Sequence, residues 1–163
     1  MLERMTNLNP PITSTRLRAF EQKYGLSLPH DYKSFLLKHN GGRPRPDTFA
    51  VQGSERNPYA GVHAFFGIEA RIASLDIELI LNMEKGLIPD NFVPVACTDG
   101  VDYVCLDLRR KDSAVVYWDR VSYWGNNIWK EDYLYLIGPT FTDLLQSLYE
   151  FRLPEDDTSR ELL

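Results

Sequence analysis

Three consecutive segments, Phe92 to Thr98, Tyr103 to Leu108 and Ala114 to Asp119, are rich in Val, Tyr and Cys and alternate with the period of two that belongs to a β-strand. Only short turns connect them, Asp99-Gly100 and Arg109-Arg110-Lys111-Asp112-Ser113. Parallel neighbours need a crossover of about a dozen residues or more, so these linkers demand an antiparallel meander. With 163 residues, 44% hydrophobic and 25% charged, the chain can bury one core around such a sheet but not a second full-sized one.

Helical spacing flanks the meander. Ser14 or Thr15 is placed to cap a first helix carrying Leu17, Phe20 and Tyr24, with Gly25 to end it. After Leu28-Pro29, the residues Tyr32, Phe35, Leu36 and His39 predict a second amphipathic helix. Asn40-Gly41-Gly42 stops it, and Arg43-Pro44-Arg45-Pro46 cannot resume an α-helix. Asp47 to Gln52 and His63 to Ile68 read as short strands. Ser74 is placed to cap a third helix with the stripe Leu75, Leu79, Ile80 and Met83, and Thr140 to begin a last one with Phe141, Leu144, Leu145, Leu148 and Tyr149. The order describes an α+β domain over about residues 13–153: an antiparallel sheet of five to six strands with helices packed on one side. Residues 1–12 read as a flexible start, and the acidic run 154–163 as a flexible tail.

A two-residue hairpin at Asp99-Gly100 would set Cys97 opposite Asp102 and Cys105 opposite Pro94, sending the two sulfurs to opposite faces. Val104, Leu106 and Leu108 would then face the helices. Two cysteines make no disulfide framework, and the longest apolar runs, Ala114 to Trp118 and Tyr133 to Ile137, are five residues each, where a membrane span needs about 20. The first residues carry no apolar signal core, which makes a cytoplasmic location the expectation.

Charge is unevenly spread. The net charge of -5 argues against a chain dominated by nucleic-acid phosphate binding, yet Arg16 to Arg45 is net +5 and Glu69 to Asp107 net -6. A dipolar surface is the expectation, against the alternative that both runs are ordinary solvated faces.

Reactive chemistry is not apparent. His30, His39 and His63 never fall four apart on a helix, and neither HExxH nor CxxC occurs, so no metal or other cofactor is expected. GxSxG, P-loop and GxGxxG signatures are missing too. Asp99, Asp102, Asp107 and Asp119 sit in or beside the meander, where turn and edge roles explain them better than acid–base work. The richest cluster is aromatic. Seven of twelve Trp and Tyr residues lie between Tyr117 and Tyr135, including every Trp, interleaved with Asp119, Arg120, Asn126, Asn127, Glu131 and Asp132. Such side chains recur at interface hot spots, although the bland role of covering one end of a core accounts for many of them. Asp99, Asp102, Asp119, Tyr123, Trp124, Trp129, Glu131 and Asp132 are therefore the candidate partner contacts, with no catalytic residue assigned.

Four segments together resemble the SUKH superfamily of yeast cell-wall regulators and bacterial immunity proteins. They are Gly25-Leu26-Ser27-Leu28-Pro29 with Asp31-Tyr32 and Phe35-Leu36-Leu37 running into Asn40-Gly41-Gly42; Gly67-Ile68; Ile88-Pro89 to Val93-Pro94-Val95-Ala96; and Val116-Tyr117-Trp118-Asp119. Their order and spacing carry the likeness, over about Thr13 to Phe151. Val101 departs from it, since many members have a second glycine there. The resemblance implies a non-enzymatic immunity protein that neutralises a cognate toxin of the basic nuclease type through protein–protein contact with neither nucleic acid nor membrane. It also implies an alternative, an intracellular regulatory or scaffold domain binding endogenous proteins.

Overall fold

The structure is a computed structural model that describes residues 2–120 and 131–152. Its centre is a six-stranded antiparallel sheet in strictly sequential order: β3 (Thr48–Ala50), β4 (Tyr59–Phe65), β5 (Phe92–Thr98), β6 (Tyr103–Asp107), β7 (Ala114–Trp118) and β8 (Leu134–Gly138). β1 (Arg4–Thr6) and β2 (Arg43–Arg45) form a separate two-stranded ribbon. Among the described residues there are four α-helices: α1 (Ser14–Tyr24), α2 (His30–His39), α3 (Ile77–Met83) and α4 (Phe141–Ser147). The α+β class and the meander are as the sequence predicts.

Three of the four helices begin where a side chain accepts from a first-turn N–H group, and α2 instead starts after Pro29 with no side-chain cap. Thr13, one residue before the expected caps, accepts from the Arg16 N–H at 3.1 Å and starts α1. Gly25 ends it at φ +63°. α2 packs Tyr32, Phe35 and Leu36 inward and stops at Asn40, which is left-handed at φ 47° and 1% exposed. The Asn40 side chain clamps the chain on both sides: its Nδ2 donates to the Pro10 and Ile68 carbonyls at 2.8 and 2.9 Å, and its Oδ1 accepts from the Ile68 N–H at 2.8 Å. Gly41 then passes so close to β4 that a Cβ would lie 2.7 Å from the Phe65 carbonyl oxygen, at a φ of +83° that also suits glycine.

Phe65 of β4 meets Phe35 of α2 and Phe141 of α4, with ring centroids 5.0 and 5.6 Å apart. Phe65 pairs with Ala96, and Ala96 with Val104, so Val104 and Leu106 lie on this helix-covered face. The opposite face is no less buried: Tyr103, Cys105 and Asp107 are 7%, 0% and 2% exposed, and the C-terminal end of α3 reaches Tyr103 there. The sheet curls enough for Phe49 of β3 to touch Tyr117 of β7, centroids 6.0 Å apart.

Within residues 2–12, β1 pairs with β2, and Leu2, Met5, Leu8 and Ile12 pack against the core, because Arg43-Pro44-Arg45, though barred from a helix, offers an extended partner. Three expectations need correction. α3 is capped by Asp76 rather than Ser74, since the Asp76 carboxylate accepts from the Glu78 and Leu79 N–H groups at 3.0 and 3.1 Å. The later start rotates the buried face to Ile77 and Ile80 and leaves Leu79 and Met83 46% and 68% exposed. In the β5–β6 hairpin, Thr98 N–H closes on the Asp102 carbonyl at 3.1 Å and Cys97 lies opposite Tyr103, one residue from the expected register. That slip puts Cys97 on the same face as Cys105, where both remain free thiols.

Candidate binding groove

The fold brings α3, the 3-10 turn before it and the tip of the β5–β6 hairpin around one groove of about 690 Å³ on the sheet face opposite α2 and α4. Its floor is built by Arg120, just past β7. The Arg120 guanidinium lies 4.4 Å from the Tyr103 ring centroid and 5.3 Å from that of Trp118, and pairs with Glu84 at 2.9 Å. It also donates to the Val101 carbonyl at 3.3 Å, while the Arg120 N–H donates to Asp102 Oδ1 at 2.7 Å. One side chain thus ties α3, β6 and the hairpin tip together. Tyr103 donates to Glu84 Oε1 at 3.1 Å, and its own pKa is pushed up to about 12, chiefly by burial.

The rim is apolar on one side. Ile72, Met83 and Val101 line the opening and are 45%, 68% and 44% exposed. Valine at position 101, the departure from the family pattern, therefore supplies part of the rim. At the polar end, His63 Nδ1 lies 3.1 Å from Asp99 Oδ1 and its Nε2 lies 3.4 Å from Arg43 Nη2. Arginine only donates, so Nε2 accepts, and Nδ1 carries the proton given to Asp99.

Nearby, the Cys97 thiol donates to the Ala64 carbonyl at 3.7 Å, and burial pushes its pKa up, away from the thiolate a nucleophile needs. The groove's imidazole and thiol are thus each committed to a structural neighbour. Among the described residues no group of three or more His, Cys, Asp or Glu side chains is arranged to hold a metal ion.

The candidate contacts named from sequence part company. Asp99 lies on the groove, its side chain 76% exposed. Asp102 and Asp119 are 6% and 1% exposed and do internal work: Asp102 Oδ2 accepts from the Tyr117 hydroxyl at 2.6 Å, and Asp119 Oδ1 accepts from Arg56 at 3.1 Å. Both carboxylates are turned into the fold. Asp132 is exposed but does not line this groove. Tyr123, Trp124 and Trp129 lie outside the described residues, as does the side chain of Glu131. Sequence reading missed Met83 and Val101, the first because it was placed on the buried stripe, the second because a turn valine carries no signal of exposure.

The acidic stretch is also largely spent inside the fold. Glu78 pairs with Arg16 at 2.7 Å and Lys23 at 2.9 Å, Glu69 with Arg16 at 2.6 Å, Glu84 with Arg120, and Asp107 with Arg109 at 2.9 Å. Asp76 caps α3. The expected dipole is folded onto itself where α1 meets α3.

The chain is thus an α+β domain, a sequential meander with α2 and α4 over one face and the α3–hairpin groove on the other. The chain matches the SMI1/KNR4 family (SUKH-1) over residues 11–147 and belongs to that family. It is also similar to the SPbeta prophage-derived uncharacterized protein YokK of Bacillus subtilis (strain 168), with 25% identity over an alignment of 122 residues that covers 66% of this chain. The match spans 62% of the relative's length. Among the described residues no helix is long and apolar enough to cross a membrane.

Proposed function

We propose that this chain is an immunity protein that binds and neutralises a cognate protein toxin through the α3–hairpin groove, without chemistry of its own. The observation that carries the reading is the pairing of an exposed apolar rim, Met83, Ile72 and Val101, with a floor held rigid by Arg120. Exposed methionine suits an adaptable contact, and a fixed floor reduces the ordering cost of binding. Family membership supports a protein partner, and the prophage origin of YokK supports a role tied to mobile genetic elements. A nuclease remains the toxin class that the family likeness suggests. Pairing of Glu69, Glu78, Glu84 and Asp107 within the chain weakens the charge-based reason for a strongly basic partner, and the groove favours an apolar side chain flanked by a polar one that meets Arg43 or Asp99.

The test is titration calorimetry of the purified product of the adjacent gene against wild type and Met83→Asp. Saturable binding by wild type, weakened at least tenfold in the variant, supports the reading. Equal affinity moves the interface elsewhere. A locus that encodes no toxin, with pulldowns returning only housekeeping proteins, would replace this reading with the scaffold alternative.

A further inference from the structure

The two outer strands of the sheet are finished differently. Along β3 the backbone of Thr48 is paired with Tyr149, each N–H donating to the other's carbonyl at 3.1 and 2.9 Å. The next outward-facing residue, Ala50, has no such partner among the described residues. Its direction follows from register. Val62 N–H donates to the Asp47 carbonyl and Val51 N–H to that of Pro58, so the odd-numbered residues here face β4 and the even ones face out.

The same reasoning applies to β8. Asp119 N–H donates to the Tyr133 carbonyl, which makes Tyr135 the residue bonded to β7 and turns the N–H and C=O of Leu134 and Leu136 away from it. Leu136 is also 53% exposed.

The part of β3 beyond Thr48 and the edge of β8 border one cleft of about 310 Å³, lined by Ala50 and Gln52 on one side and Leu136 to Pro139 on the other, with Ser147 and Tyr149 completing the lining. None of those residues is charged. Sheets normally protect an edge with charge, proline, a bulge or a covering element. β8 reads Leu-Tyr-Leu-Ile-Gly and has no charge of its own; its bulge at Ile137 and the following Pro139 mark only its C-terminal end, leaving Leu134 and Leu136 on the regular part of the edge.

We propose that this cleft takes an extended, uncharged segment of a partner protein, hydrogen-bonded through its backbone to Leu136 on one side and Ala50 on the other. Backbone donors and acceptors on both walls specify a strand, and uncharged walls favour uncharged side chains. A whole second sheet, as in edge-to-edge pairing of two copies, would have to continue past β8 into the wall formed by β3. A single strand does not. The inference is independent of the groove and of the immunity reading.

The test uses full-length protein and a capped, uncharged heptapeptide of alternating threonine and valine, followed by amide hydrogen exchange and by amide NMR shifts. The expected result is a saturable shift with exchange slowed at least tenfold at Leu136 and Ala50. The same peptide with alternate amides methylated should do neither, and Leu136→Lys should weaken the effect about tenfold while leaving the native amide pattern elsewhere intact. Millimolar peptide without saturable change at either wall would overturn the proposal. Equal effects from the methylated peptide, or slow exchange at both amides before any peptide is added, would overturn it too.

Discussion

The Tyr117 hydroxyl donates to Asp102 across 2.6 Å and accepts from Asn57 Nδ2 at 3.1 Å, joining β7, the base of the β5–β6 hairpin and the β3–β4 loop at one buried oxygen. Burial first, and then the bond to Asp102, pushes the Tyr117 pKa well above its ordinary value, so the phenol stays a donor at any physiological pH. Tyr117→Phe keeps the ring against Phe49 but withdraws the proton from a buried carboxylate oxygen. We expect a loss of about 1–3 kcal/mol in urea unfolding, with the slope of the transition unchanged. A variant as stable as wild type would show that this bond does not hold the hairpin.

Phe35 is 5% exposed and meets Tyr32, Phe65 and Phe141, with ring centroids 6.2, 5.0 and 5.0 Å away. Phe35→Ala should cost about 3–5 kcal/mol, since the cavity lies where α2, α4 and the sheet converge. Thermal unfolding is the measurement, and an unchanged midpoint would contradict this packing.

Acid should weaken the α1–α3 contact. Burial opposes ionisation of Glu78, but hydrogen bonds from Arg16 and Lys23 outweigh it and set its pKa below the ordinary 4.5. Asp107 is likewise depressed below 3.8: burial opposes its ionisation too, but Arg109 outweighs it. A carboxylate with a lowered folded pKa contributes stability that is complete above its unfolded value and is lost as pH falls through the folded one. The expected profile is flat above about pH 5 and falls below about pH 4, with a shallower fall in Glu78→Gln. The check is urea unfolding across pH 2.5 to 7. Glu78 is a partly exposed member of a charged cluster, so the effect should shrink in high salt.

Much of this architecture can be read from local grammar. The period-two segments with short turns gave the meander, and Asn40-Gly41-Gly42 marked the end of α2. Local signals stop short of what those residues do at a distance. Asn40 reads as a helix stop, but its clamp on Ile68 depends on a partner 28 residues away. Asp102 reads as a turn acid open to solvent, but Tyr117 and Arg120, fifteen and eighteen residues on, both bond its buried carboxylate. The same holds for charge: Glu78 looks like part of an acidic surface until α1 brings Arg16 across 62 residues. Register was the finer failure, because moving the hairpin closure by one residue changes the face of Cys97.

Met83 and Val101 sit on the groove rim without a core role, so Met83→Asp and Val101→Asp should leave stability within about 0.5 kcal/mol of wild type. Affinity for the toxin should fall at least tenfold in each. Asp102→Asn, by contrast, should act through stability. Comparing unfolding midpoints with dissociation constants separates the two kinds of residue, and loss of fold in Met83→Asp would contradict its exposed placement.

The immunity reading faces its most direct test in a co-expression survival assay. The adjacent toxin gene is induced with wild-type protein, with Met83→Asp/Val101→Asp, or with empty vector. We expect growth to be rescued by wild type alone, and a one-to-one complex to elute from a sizing column. Unimpaired killing in the presence of folded wild-type protein, with no complex formed, would contradict the proposal that this domain acts by capturing a toxin.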